Sequence, residues 1–172
     1  MTMVDEGVVN PHGEALVQEL LWIHGIIRHN LETIAAVIEQ ITDGAPIAQV
    51  RAQIDDLAAT SVVWTLRVNC LQYCSLVHHH HHLEDVALFP GLRRVNPGLH
   101  AVIDKLEADH AIVSGYLDAV EAAAARIITD EAARTELADA LSKLAEHLLA
   151  HLDYEEANLS PTLRRLQGWP RD

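Results

Sequence analysis

His80-His81-His82-Leu83-Glu84-Asp85-Val86-Ala87-Leu88-Phe89-Pro90-Gly91-Leu92-Arg93-Arg94 has a second copy in the chain, 71 residues later and without a gap. That copy reads His151-Leu152-Asp153-Tyr154-Glu155-Glu156-Ala157-Asn158-Leu159-Ser160-Pro161-Thr162-Leu163-Arg164-Arg165. The leading imidazole, the acidic pair, a leucine, the proline and the closing Leu-Arg-Arg coincide. The segments that precede them match more weakly at an offset of 86: His24 with His110, Leu31 with Leu117, Glu32 with Asp118. The chain therefore reads as two helical hairpins related by a pseudo-twofold axis.

Periodicity supplies the helices. Leu16, Leu20, Ile23, Ile27, Leu31, Ile34, Val37 and Ile41 recur at helical spacing and predict a helix over 13–42, stopped by Asp43-Gly44-Ala45-Pro46. Ile47, Val50, Ile54 and Leu57 predict a short extra helix over 47–59. Thr60-Ser61 would cap the next helix, 62–88, which is expected to end at Phe89-Pro90. Asn96-Pro97-Gly98 opens a third long helix to about Ile128, and Thr129-Asp130 caps a fourth, 131–165, with an interruption expected near Ser160-Pro161. The tail from Gln167 is expected to be loose. The fold class is thus all-α, an up-down-up-down four-helix bundle with one short helix between helices 1 and 2. It forms a single domain over 1–172 with its core at about 12–166.

Length places the histidines. His24 precedes its turn by about 18 residues. A returning helix needs the same number to regain that level, because each residue rises about 1.5 Å. Counting back 18 from His80 reaches Val62, just after the predicted cap. His110 and His151 flank their own turn in the same way. All four then share one layer of the bundle.

Composition narrows the partners. A net charge of −13 over 172 residues argues against nucleic acid and anionic membrane. No apolar run is long enough to span a bilayer, and no charged segment followed by an apolar run marks a signal peptide. Cys70 and Cys74 do not make a disulfide framework and read as reduced packing residues, which fits a cytoplasmic protein. Lys105 and Lys143 stand against ten arginines, a bias expected of a GC-rich bacterial genome. The chain is expected to be a monomer or homodimer.

The chemistry lies in twelve histidines and their spacing. His80 with Glu84, and His151 with Glu155, are four apart, so each imidazole and carboxylate share a helix face. His24 and His110 add one imidazole from each remaining helix. Two imidazoles for each of two cations, with Glu84 and Glu155 between them, suit Fe, Mn or Zn better than Mg or Ca. Ferritin-like bundles use more Glu, in a Glu-x-x-His order. Here the order is reversed and the site richer in nitrogen.

As an ordered set, His24, His80-x-x-x-Glu84-Asp85-x-x-Leu88-Phe89-Pro90, His110 and His151-x-x-x-Glu155-Glu156 resemble the hemerythrin-like family, the HHE cation-binding domains. The resemblance covers about residues 12–166. It implies a bundle around two non-haem iron ions, oxo- or hydroxo-bridged, with O2, peroxide or NO as the exogenous ligand. His24 and His80 would bind one iron and His110 and His151 the other. The family's members carry or sense oxygen, respond to NO, handle peroxide, or sense and store iron.

One departure matters. Oxygen-carrying members have five histidines, with a His-x-x-x-His pair on helix 3; here Ser114 stands one turn after His110. The last carboxylate also follows its histidine by four residues rather than five. A four-His, two-Glu site is therefore expected, with more room for an exogenous ligand. That favours peroxide or NO detoxification over a carrier, sensor or storage role. His147, one turn before His151, is a candidate substitute ligand. Within the run His78 to His82, alignment of Pro90 on Pro161 selects His80 and leaves His81, paired with Asp85, as a rival register. His78, His82, His12, His29 and His100 are expected at the surface. Asp85 and Glu156 are expected beside the site, and Tyr73 in the core.

Overall fold

The computed structural model describes residues 10–42 and 62–170, and among these every regular element is helical. The elements are α1 (Pro11–Thr42), α2 (Val62–Leu83), a π turn (Glu84–Leu88), α3 (Phe89–Val95), a 3-10 turn (Pro97–Leu99), α4 (His100–Arg126) and α5 (Ala132–Leu163). The short helix predicted over 47–59 lies outside the described residues.

Around the bundle α1 contacts α2, α2 contacts α4, α4 contacts α5, and α5 closes against α1. The predicted four-helix architecture is the observed one. Asp130 accepts from the Ala132 N–H at 3.0 Å and so starts α5, as its position predicts. Asn96 accepts from the Gly98 N–H at 3.0 Å, and its own amide donates to Thr162 Oγ1 at 2.9 Å, tying this turn to the end of α5.

Three expectations are corrected. The second long helix does not end at Pro90. Phe89 N–H bonds to Glu84 O, a π turn follows α2, and helix continues to Val95. Pro90 tolerates this because it stands in the first turn of α3, where a missing N–H costs nothing. Nor does Pro161 interrupt α5, since only the last turn remains beyond it to lose a bond. The tail is held at one point rather than loose: Gln167, Gly168 and Trp169 are exposed, but an added Cβ on Gly91 would lie 2.5 Å from Pro170 Cβ.

Burial follows the heptad-like spacing of each helix and forms two apolar clusters. One holds Ile27, Leu31, Cys70, Tyr73, Leu117, Leu144 and Leu148. The other holds Leu16, Leu20, Phe89, Leu92, Ile103, Leu106 and Leu159. Between them, at the level of His24, His80, His110 and His151, the buried residues are histidine and glutamate. Apolar plugs above and below this polar layer lower its dielectric. Among the described residues no helix is long and apolar enough to cross a membrane.

Candidate metal centre

Each helix delivers its share of the layer. His24 comes from α1, His110 from α4, and His151 and Glu155 from one face of α5, one turn apart. All are buried, and Glu84 with them. His24 Nε2 and His80 Nε2 are 3.1 Å apart, as are His110 Nε2 and His151 Nε2. Glu84 lies between the two pairs: its Oε1 is 3.1 Å from His80 Nε2, and its Oε2 is 3.4 Å from His110 Nε2. Glu155 Oε2 is 3.5 Å from His24 Nε2 and 3.7 Å from His151 Nε2. The six predicted residues are thus gathered in one place.

The sequence reading missed a seventh. His81 is buried, stacked on His110 with ring centroids 4.0 Å apart, and edge-on to His151 at 5.1 Å. Two groups of donors emerge, each with its atoms within 4.8 Å of one another: His81, Glu84, His110 and His151, and His24, His80, Glu84 and Glu155. The expectation of one inward histidine from the run is corrected to two. The buried face of α2 is two residues wide here: Tyr73 and Cys74 are both buried, and one heptad later so is His81, with His80 nearly so. Continuing that stripe through Val77 would have found His81.

The remaining histidines stand elsewhere. His147 is exposed and stacks on Tyr116 at 4.8 Å, so it does not substitute for a missing ligand. His78 faces Asp118 and Glu121 of α4. His12, His29, His82 and His100 are exposed. Cys70 and Cys74 are free, buried and pushed up to about 12 by burial, which makes them poor nucleophiles. Tyr73 is buried, and its hydroxyl has no partner.

The acidic pairs of the repeat divide their labour. Glu84 and Glu155 enter the layer, while the next residue of each reaches across to the other hairpin. Asp85 Oδ1 lies 2.7 Å from His110 Nδ1, and Glu156 Oε1 lies 2.8 Å from His24 Nδ1. A carboxylate only accepts, so each Nδ1 carries the proton and each Nε2 presents a lone pair to the layer. Arg28, one turn after His24, donates to Glu156 at 2.6 Å and to Asp153 at 2.7 Å. The equivalent position on α4 is Ser114, so Asp85 lacks such a partner, and burial raises its pKa to about 6. Carboxylates that hold a ligand imidazole usually contribute about 10–100-fold to metal affinity. Asp85→Asn and Glu156→Gln are each expected to weaken metal binding by about that factor, read by competition with a chelator, while His29→Ala leaves it unchanged. Equal affinities in all three would refute the orienting role.

The electrostatics suit a cation. Burial pushes His24, His80 and His110 down to about 3 and His151 to about 4, with His81 lower still, so the imidazoles are neutral at physiological pH. Burial raises Glu155 to about 8 and Glu84 well above the usual carboxylate range, the latter also through repulsion from Glu155. Among the described residues, the four carboxylate oxygens have no hydrogen-bond partner beyond the contact of the two carboxyls with each other, and His81 Nε2 has none. Buried carboxylates without donors cost several kcal/mol unless a charge neutralises them. Two nitrogens bound at about 2.1 Å on perpendicular axes of one cation would stand roughly 3 Å apart, close to what both pairs show. The donor set therefore fits two cations.

Comparison with curated proteins and with solved structures finds no match. A family model, the hemerythrin HHE cation binding domain, matches residues 24–163 and so spans all seven donors. On that match the chain belongs to the hemerythrin HHE cation-binding family.

Proposed function

We propose that this protein is a non-haem two-iron protein that binds O2, peroxide or NO, and that it acts in the cytoplasm in handling peroxide or NO under redox stress. The observation that carries the reading is the pair of donor groups sharing Glu84. The iron pair would supply redox-active Lewis-acid sites; the chain supplies everything else. His81, His110 and His151 with Glu84 would hold one ion, and His24 and His80 with Glu84 and Glu155 the other. The His24–His80 group offers one imidazole fewer, so an exogenous ligand would enter on that side. Asp85 and Glu156 keep the His110 and His24 imidazoles in the lone-pair-inward tautomer. The two apolar clusters flank the layer above and below.

His81 changes the balance between readings. Ser114 in place of a fifth histidine argued against reversible oxygen carriage, and His81 returns a fifth imidazole to the layer. Reversible binding, as in a carrier or sensor, is therefore the second reading. Peroxide consumption with oxygen release by the iron-loaded chain supports the first; a stable, reversible oxygen complex without turnover supports the second.

The metal claim is tested by elemental analysis with an optical spectrum. Two iron ions per chain and near-ultraviolet oxo-to-iron bands are expected; one zinc per chain would sink it. Iron entry should also release protons. Burial raises the Glu84–Glu155 pair above the usual carboxylate range, so the pair retains protons at pH 7 in the metal-free chain and would lose them to the cation. Calorimetry in two buffers of different ionisation enthalpy is expected to give different apparent heats; equal heats would contradict this.

A further inference from the structure

A cavity of about 430 Å³ opens beside the layer, between the first half of α1, the π turn and the tail. Leu20, Ile23, Ala87 and Leu88 form its walls, and Trp22 and Trp169 stand half-exposed or more at its mouth. Its polar residues are His80, Glu84 and Glu19. The first two belong to the cation layer, on the side with fewer imidazoles. Glu84 is buried, and among the described residues its oxygens have only the Glu155 carboxyl as a partner.

The size and chemistry of this cavity do not match a diatomic gas or hydrogen peroxide alone. Those need little more than the roughly 30 Å³ that a water occupies in the liquid. Volumes of about 300–1,000 Å³ with apolar walls and a few convergent polar groups are typical of sites for small organic molecules. The charge is equally selective. No lysine or arginine lines the cavity, Glu19 stands on it, and the chain carries −13. An anion such as a fatty carboxylate would meet repulsion and no counter-charge. A neutral body meets only apolar wall and aromatic faces.

We propose that this cavity binds a neutral, mainly apolar organic molecule bearing a terminal hydroxyl-type oxygen (–OH or –OOH), with its body against Leu20, Ile23 and Trp169 and its oxygen at the His80–Glu84 end. The inference deepens the two-iron reading, on which the role of that end rests. It concerns binding only. The mouth is closed on one side by the tail, whose Pro170 packs on Gly91 and so holds Trp169 against the cavity.

The test uses 2-phenylpropan-2-ol as probe, with isopropylbenzene as its oxygen-free counterpart. Binding is followed by tryptophan fluorescence and by the shift in melting temperature, on iron-loaded and metal-free protein, with iron content measured alongside. Saturable binding of the alcohol is expected in the iron-loaded chain, at least threefold tighter than that of the hydrocarbon. Ala87→Phe, which fills the cavity from a half-open wall, is expected to weaken it tenfold or more. Trp169→Ala, in the tail and outside the bundle core, is expected to weaken it at least threefold. No saturable binding by a chain that holds two irons, or binding unchanged by both substitutions, would overturn the proposal and leave the metal reading intact. Equal affinity for alcohol and hydrocarbon would overturn the placing of the oxygen. A chain that takes up no iron yet binds the probe in a manner sensitive to Ala87→Phe would sink the metal reading and still support the cavity.

Discussion

Glu155→Leu is expected to raise the melting temperature of the metal-free chain while abolishing its uptake of iron. Glu155 is fully enclosed, and among the described residues its oxygens have only the Glu84 carboxyl as a partner. A group of this kind costs about 1–3 kcal/mol relative to an apolar side chain of similar volume. For a domain of this size each kcal/mol corresponds to roughly 2–4 °C, so a gain of several degrees is expected. The pH dependence gives the sign independently. The folded chain holds the Glu155 proton up to about pH 8, whereas an unfolded glutamate loses it near 4.5. Between these values the folded state binds more protons, so this group makes the metal-free chain less stable as pH rises from about 4.5 to 8. The histidines act in the opposite sense. Their folded values of about 3 to 4 lie below the unfolded 6.5, so stability falls as pH drops through that window. Glu155→Leu should reduce the loss on the alkaline side, leaving the part that Glu84 contributes, and keep the acid side unchanged. A melting temperature that falls in the variant, or iron retained at two per chain, would refute the role assigned to this carboxylate.

The second large effect is expected at His81. His81→Ala should reduce iron from two ions per chain to one, whereas His82→Ala, at an exposed position one residue on, should keep both. Without His81, its donor group retains His110, His151 and Glu84. The substitution also removes a ring stacked on His110, so some loss of stability accompanies it. Iron content measured at matched fractions of folded protein separates the two effects. Two ions retained in His81→Ala would restore a four-histidine site, and with it the argument from Ser114 against oxygen carriage.

The contrast between these residues shows what the sequence can and cannot display. The ungapped repeat with its two prolines announces the hairpins, the shared layer and the pair Glu84 and Glu155, because all of these obey the pseudo-twofold axis. His81 breaks that symmetry. Its counterpart in the second hairpin is Leu152, which is buried in the apolar cluster, so comparison of the halves hides it. Arg28 and Ser114 are a second broken pair, and they make the supports of His24 and His110 unequal. The π turn was illegible for a different reason. Nothing in local propensity separates it from α-helix, and it depends on how Glu84 to Leu88 are packed. Packing of the tail on Gly91 is likewise a long-range contact that periodicity cannot report.

The crossed carboxylates have a consequence for descent. Asp85 of the first hairpin orients the histidine of the second, and Glu156 of the second orients the histidine of the first. A lone hairpin would therefore carry an acid with nothing to hold and a histidine with nothing to hold it. If the repeat arose by duplication, the single-hairpin ancestor completed its site only by pairing with another copy of itself. The two halves differ where the repeat aligns His81 with Leu152 and Arg28 with Ser114.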